Sequence, residues 1–184
     1  MPQVSVLGQL LCVIYINDIE IWITSNILKF ADDTKLFCKV GNEDRCEQLM
    51  ADLRKLYEWS LDWQMLFNLA KCKIMHFSYN NPQNTFLLGG HILDTVVEER
   101  DLGIIVRNYL KVSSQCLKVV KTANQVLGMI KRTFSYKTID NLFPLYKSLA
   151  RPHLEYCIQA WSPHLRKDIE LLESVQRRAT RMVL

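Results

Sequence analysis

Apolar and polar residues follow several different rhythms along the chain. Val6, Leu10, Val13, Ile14 and Ile16 belong to a nearly continuous apolar run, which predicts a buried helix ending before Asn17-Asp18. Two short apolar stretches, 27–31 and 34–40, flank Asp32-Asp33 and predict a β-hairpin, although the usual glycine is absent from its turn. Gly41-Asn42 then punctuates the chain, and Glu43-Asp44 puts negative charge where a helix dipole favours it. Cys46, Leu49, Met50, Leu53 and Leu56 share one face at the 3.6-residue period, so a helix is expected through residue 62. Residues 73–78 alternate like a strand, and 86–88, 95–98 and 102–106 complete a small antiparallel set. Beyond Asn108 the β character stops. Residues 113–134, 138–149 and 167–184 are helical by pattern, with Pro152 and Pro163 marking breaks. Ser113 or Ser114 is expected to cap the first of these helices. Leu117, Val120, Ala123, Leu127 and Ile130 form its expected core stripe. The fold class is α+β: a helix, an acidic hairpin, a helix and a small antiparallel sheet, followed by an all-helical region.

Composition adds limits rather than a function. The chain has 184 residues, 49% hydrophobic and 23% charged, which excludes intrinsic disorder and collagen-like repeats. Charge is unevenly divided: residues 1–106 carry 9 Lys/Arg against 14 Asp/Glu, whereas residues 107–184 carry 14 against 5. The charge shift coincides with the β-to-α shift, so a boundary is expected near residue 107. The basic half is either an electrostatic footprint for phosphate backbones or lipid, or a solvated helical face. Lys118, Lys121, Lys131 and Arg132 are its candidate nucleic-acid contacts, with Tyr136, Tyr146 and Trp161 as either stacking surfaces or core. The cysteines form no CxxC pair and read as buried fillers or free thiols in a reducing compartment. The apolar run 4–16 is too short to span a bilayer and lacks the flanks of a signal peptide. The chain is therefore expected inside the cell, in nucleus or cytoplasm, with no membrane partner.

The informative chemistry is Phe30-Ala31-Asp32-Asp33 at the expected hairpin tip. Neighbouring carboxylates repel by about 1 kcal/mol at ~4 Å in water, and by more in a less polar site. A divalent cation relieves that cost, and Mg²⁺ takes one or two protein carboxylates while leaving positions for water and phosphate. Two aspartates alone also suit a solvated acidic turn.

The flanking residues change the weighting. Pro2-Gln3-Val4-Ser5-Val6-Leu7-Gly8, Tyr15-Ile16-Asn17-Asp18 and Phe30-Ala31-Asp32-Asp33-Thr34 resemble the reverse transcriptases of non-LTR retrotransposons. The resemblance continues through Trp59-Ser60, Trp63-Gln64-Met65, Asn68, Lys71-Cys72-Lys73 and Asp101-Leu102-Gly103-Ile104. Leu145-Tyr146-Lys147-Ser148-Leu149, Arg151-Pro152-His153-Leu154-Glu155-Tyr156-Cys157 and Trp161-Ser162-Pro163-His164 extend it toward the jockey-like LINE group. The resemblance implies part of a polymerase palm over residues 1–106 and a basic, helical, thumb-like region over 107–184. It implies RNA template and DNA primer as partners, and Mg²⁺ held by Asp32 with Asp33 as its companion. Gln3 and Ser5 fall in the segment lining template and nucleotide, Lys71 near the departing pyrophosphate as a general acid, and Leu102-Gly103 at the primer grip.

The same resemblance implies gaps. The family's metal set includes an aspartate upstream of the Pro-Gln segment, and Val4 stands where the family has glycine. The expectation is a truncated fragment that binds Mg²⁺ weakly and does not polymerise alone. The alternatives are a non-catalytic nucleic-acid-binding module or a relict without a selected role. An open palm edge would invite a complementing chain or self-association.

Overall fold

The computed structural model describes residues 6–41, 43–134 and 138–182. They fall into two compact units, 1–96 and 97–184.

The first unit begins with α1 (Val6–Asn17), followed by a 3₁₀ turn and the hairpin β1 (Asn26–Phe30) and β2 (Asp33–Phe37). Helix α2 (Glu43–Asp62) is its backbone, as its 3.6-residue stripe predicts. The helix stops in a Schellman turn. Gln64 takes a left-handed φ of 54°, and the Met65 N–H reaches back to the Ser60 carbonyl at 3.0 Å. Leu56 and Trp59 of α2 pack with Ile16, Ile19, Ile27 and Leu36. Two turns before Leu56 on the same helix, Leu49 packs with Phe86, Leu88 and Leu93.

Two expectations are corrected here. Helix α1 forms, but its described side chains are mostly exposed: Leu7 is 68% and Val13 61% exposed, and among them only Ile16 at its end is in the core. The expected antiparallel set is instead a series of two-stranded ribbons. Strand β3 is shortened to Lys73–Ile74 and pairs in parallel with β6 (Asp94–Thr95), while β4 (Leu87–Leu88) and β5 (His91–Ile92) form a hairpin. His76 turns inward against the Phe86 ring and meets Asn81, which ends the predicted alternation.

The second unit opens with the hairpin β7 (Glu98–Asp101) and β8 (Ile104–Arg107). This hairpin therefore groups with the helices, ten residues ahead of the charge shift. The buried Gln115 side chain accepts the Ile105 N–H at 3.0 Å and ties β8 to α3 (Ser113–Thr133). Neither serine caps α3. The Ser113 hydroxyl donates to the buried Asp168 of α7 (Arg166–Thr180) at 2.7 Å, and the Ser114 hydroxyl accepts from Arg107. The core stripe of α3 runs through Cys116, Val119, Val120, Ala123, Leu127 and Ile130; Leu117 is exposed, being one position off that face. Between them lie α4 (Ile139–Leu145), a π-helical turn over Tyr146–Ala150, α5 (Arg151–Glu155) and α6 (Ile158–Trp161). The π turn has a local cause. Pro152 lacks the N–H that would close an α-turn onto residue 148, and the Ser148 hydroxyl donates to the Pro144 carbonyl at 2.8 Å.

Candidate functional site

The hairpin positions the two candidate metal carboxylates. Its register pairs Ile27 with Leu36, Lys29 with Thr34 and Phe30 with Asp33. That leaves a two-residue loop, Ala31-Asp32, one residue earlier than the acidic break had implied. Ala31 supplies the left-handed conformation, φ 53°, that glycine usually takes in such turns. Ile27 and Leu36 face the core, so the opposite face carries Phe30 and Asp33. Asp32 occupies the turn itself, and both aspartates are exposed.

The core-facing side of β1, which Lys29 shares with Ile27, fixes the hairpin to α1. Lys29 donates to the carbonyls of Ile16 at 3.2 Å and Asn17 at 3.3 Å, satisfying two C-terminal groups of that helix, and pairs with Glu20. The base of the hairpin is held by Asp52, which sequence reasoning missed. Its buried carboxylate accepts the N–H groups of Thr24 and Ser25, the latter at 2.8 Å, and Lys55 approaches to 3.6 Å. Burial alone would raise its pKa; the hydrogen bonds from Ser25 and Thr24 and the Lys55 charge outweigh burial and hold it below 3.8. The available signal was its position, between Leu49 and Leu56 on the apolar stripe of α2.

Two adjacent carboxylates fit the protein's share of one Mg²⁺, whose remaining positions water and phosphate fill. Among the described residues, no group of three or more His, Cys, Asp or Glu side chains clusters for a metal. The pair thus falls short of a closed two-metal site.

The other candidates are distributed over both units. Lys71 ends a 3₁₀ turn, Leu69–Lys71, and is exposed; Leu69 beside it packs in the same cluster as Leu36 of β2. Gln3 and Ser5 lie outside the described residues. In the second unit Leu102 and Gly103 form the two-residue turn between β7 and β8, with φ of 43° and 89°. Tyr156 and Lys118 hold this turn from outside, donating to the Leu102 carbonyl at 3.1 Å and the Gly103 carbonyl at 3.2 Å. A Cβ on Gly103 would come within 3.2 Å of the Tyr156 ring, so the residue is glycine for contact as well as conformation. Burial, then the charge of Arg100, lowers the Lys118 pKa; its ammonium is committed to the turn. Lys121, Lys131 and Arg132 of α3 are exposed. Of the aromatic residues, Trp161 is buried and donates to the Tyr156 carbonyl, and Tyr146 packs on the helical core. Tyr136 lies outside the described residues.

The family described as reverse transcriptase (RNA-dependent DNA polymerase) matches residues 1–130. A probable RNA-directed DNA polymerase from transposon X-element of Drosophila melanogaster is 24% identical over 201 residues, covering 99% of this chain and 21% of that protein. The RNA-directed DNA polymerase from mobile element jockey of Drosophila funebris is 24% identical over 204 residues, with the same coverage. The chain therefore spans about a fifth of the length of these relatives. No solved structure matches it significantly. Among the described residues, no helix is long and apolar enough to cross a membrane.

Proposed function

The chain belongs to the reverse transcriptase (RNA-dependent DNA polymerase) family, and on that premise we propose that it is part of the palm and thumb of a non-LTR retrotransposon polymerase. The observation that carries this reading is the pair Asp32 and Asp33 at the tip of a two-stranded hairpin, both open to solvent. Bound Mg²⁺ would supply the charge that activates a primer 3′ oxygen and steadies the leaving pyrophosphate. Asp32 and Asp33 would hold that ion, and Lys71 would deliver a proton toward the pyrophosphate. The Leu102-Gly103 turn, clamped by Tyr156 and Lys118, would present its backbone to the primer. Gln3 and Ser5 would line template and nucleotide. Lys121, Lys131 and Arg132 would neutralise RNA or DNA phosphates.

With two clustered carboxylates and no third donor among the described residues, the 184-residue chain alone should not extend a primer. A complementing chain that supplies further carboxylate and nucleotide-binding elements would be required. Primer extension on an RNA template tests this, with Asp32→Ala and Asp33→Ala as controls. Mg²⁺-dependent extension that both controls abolish would contradict it. A second reading, a nucleic-acid-binding module without catalysis, is favoured by the exposed cations of α3.

A further inference from the structure

At the end of the hairpin remote from Asp32, the first unit contains a cleft of about 490 Å³. Thr24 just before β1, Asn26 at its first position, Lys39 after β2, and Arg45 in the first turn of α2 line it, with Cys38 just after β2. Among the described residues no carboxylate lines it. Neither Lys39 nor Arg45 forms an ion pair or hydrogen bond among the described residues. Glu43 and Asp44, which precede Arg45 on the first turn of α2, do not line the cleft, and the buried Asp52 carboxylate is already committed to Thr24, Ser25, Gln48 and Lys55. Those bonds also fix the backbone on which Thr24 stands.

Two uncommitted cations beside a hydroxyl and an amide make a receptor for an oxyanion, and the planar Arg fork matches phosphate geometry. The volume exceeds that of a phosphate group and leaves room for an attached sugar. We propose that this cleft binds a phosphate ester, Lys39 and Arg45 supplying the charge and Thr24 and Asn26 the neutral donors. Four strand steps of about 3.3 Å separate Asn26 from Phe30, so the cleft lies about 13 Å along β1 from the acidic tip. A nucleic-acid strand is its expected source of phosphate; that clause alone rests on the function proposed above.

The test is two-dimensional NMR of the full chain titrated separately with inorganic phosphate and with single-stranded oligouridylate. Both probes should shift the amides of Thr24, Lys39, Gly41 and Arg45. In Lys39→Gln/Arg45→Gln those shifts should vanish, and the slope of log affinity for oligouridylate against log salt should flatten by about 1.4, for two phosphates at about 0.7 each. Both residues are exposed, so the variant should keep the wild-type melt, and protection of Cys38 from alkylation by phosphate gives a variant-free readout in the native chain. Cleft shifts with phosphate but not with oligouridylate would keep the site and overturn a strand as its source. Absence of cleft shifts with both probes, or shifts that survive the double substitution, would overturn the site. If oligouridylate bound nowhere on the chain, the nucleic-acid reading would fail while the phosphate arm still decided the cleft.

Discussion

Asp52 shows how one side chain sets the condition under which the hairpin stands. Its carboxyl, raised by burial but lowered further by Ser25, Thr24 and Lys55, sits below 3.8 in the folded chain. The unfolded chain, with an ordinary value near 3.9, then takes up its proton at higher pH than the folded one. The stability this contributes is complete above the unfolded value and is lost as pH falls through the folded one. Thermal stability should therefore fall as the pH drops below about 4. Asp52→Asn should cost about 1–3 kcal/mol at neutral pH, by misplacing an N–H₂ group against buried N–H donors, and should flatten the acid limb of the profile. An unchanged acid limb in Asp52→Asn would remove this role. Asp32 and Asp33 were legible because they are neighbours in sequence. Asp52 was not, because its partners lie 27 and 28 residues away and a lone acid on an apolar stripe announces no partner.

At the scale of elements, legibility followed periodicity. Helices α2 and α3 carry long 3.6-residue stripes, and their limits agree closely with the pattern. Helix α1 was readable as a helix but not in its burial, because a run that is apolar all round does not state which side is covered. The π turn depends on which N–H Pro152 withholds, and the short ribbons depend on contacts between distant segments. The loop between β4 and β5 illustrates the difference between a turn signal and a packing constraint. Gly89 and Gly90 have φ of 58° and 79°, but only at Gly89 would a Cβ collide with the Tyr57 ring, at 2.2 Å. Gly89→Ala should cost about 2 kcal/mol or more, combining left-handed strain with displacement of that ring. Gly90→Ala, where nothing lies within 4 Å, should cost only the strain. Equal losses in a chemical-denaturation comparison would count against the Tyr57 contact.

At the scale of the whole molecule, the division of charge bears on the proposed binding of nucleic acid. The basic cluster is smaller than composition implies, since Lys118 is spent on the β7–β8 turn and Arg151, Arg166 and Arg177 pair with glutamates four residues away on their own helices. With Lys121, Lys131 and Arg132 as the phosphate contacts of α3, log affinity for single-stranded RNA should fall with log salt at a slope near −2 from this helix. Substituting all three with Gln should remove that contribution. A slope unaffected by the triple substitution would move RNA binding elsewhere.

The central claim is that Asp32 and Asp33 are the metal carboxylates of a reverse transcriptase palm, and a titration with Mn²⁺ in place of Mg²⁺ tests it most directly. Paramagnetic broadening of the amide resonances should centre on Ala31, Asp32, Asp33 and Thr34, be relieved by excess Mg²⁺, and disappear in Asp32→Ala/Asp33→Ala while the melt is retained. Broadening that centres elsewhere, or that survives the double substitution, would contradict the account.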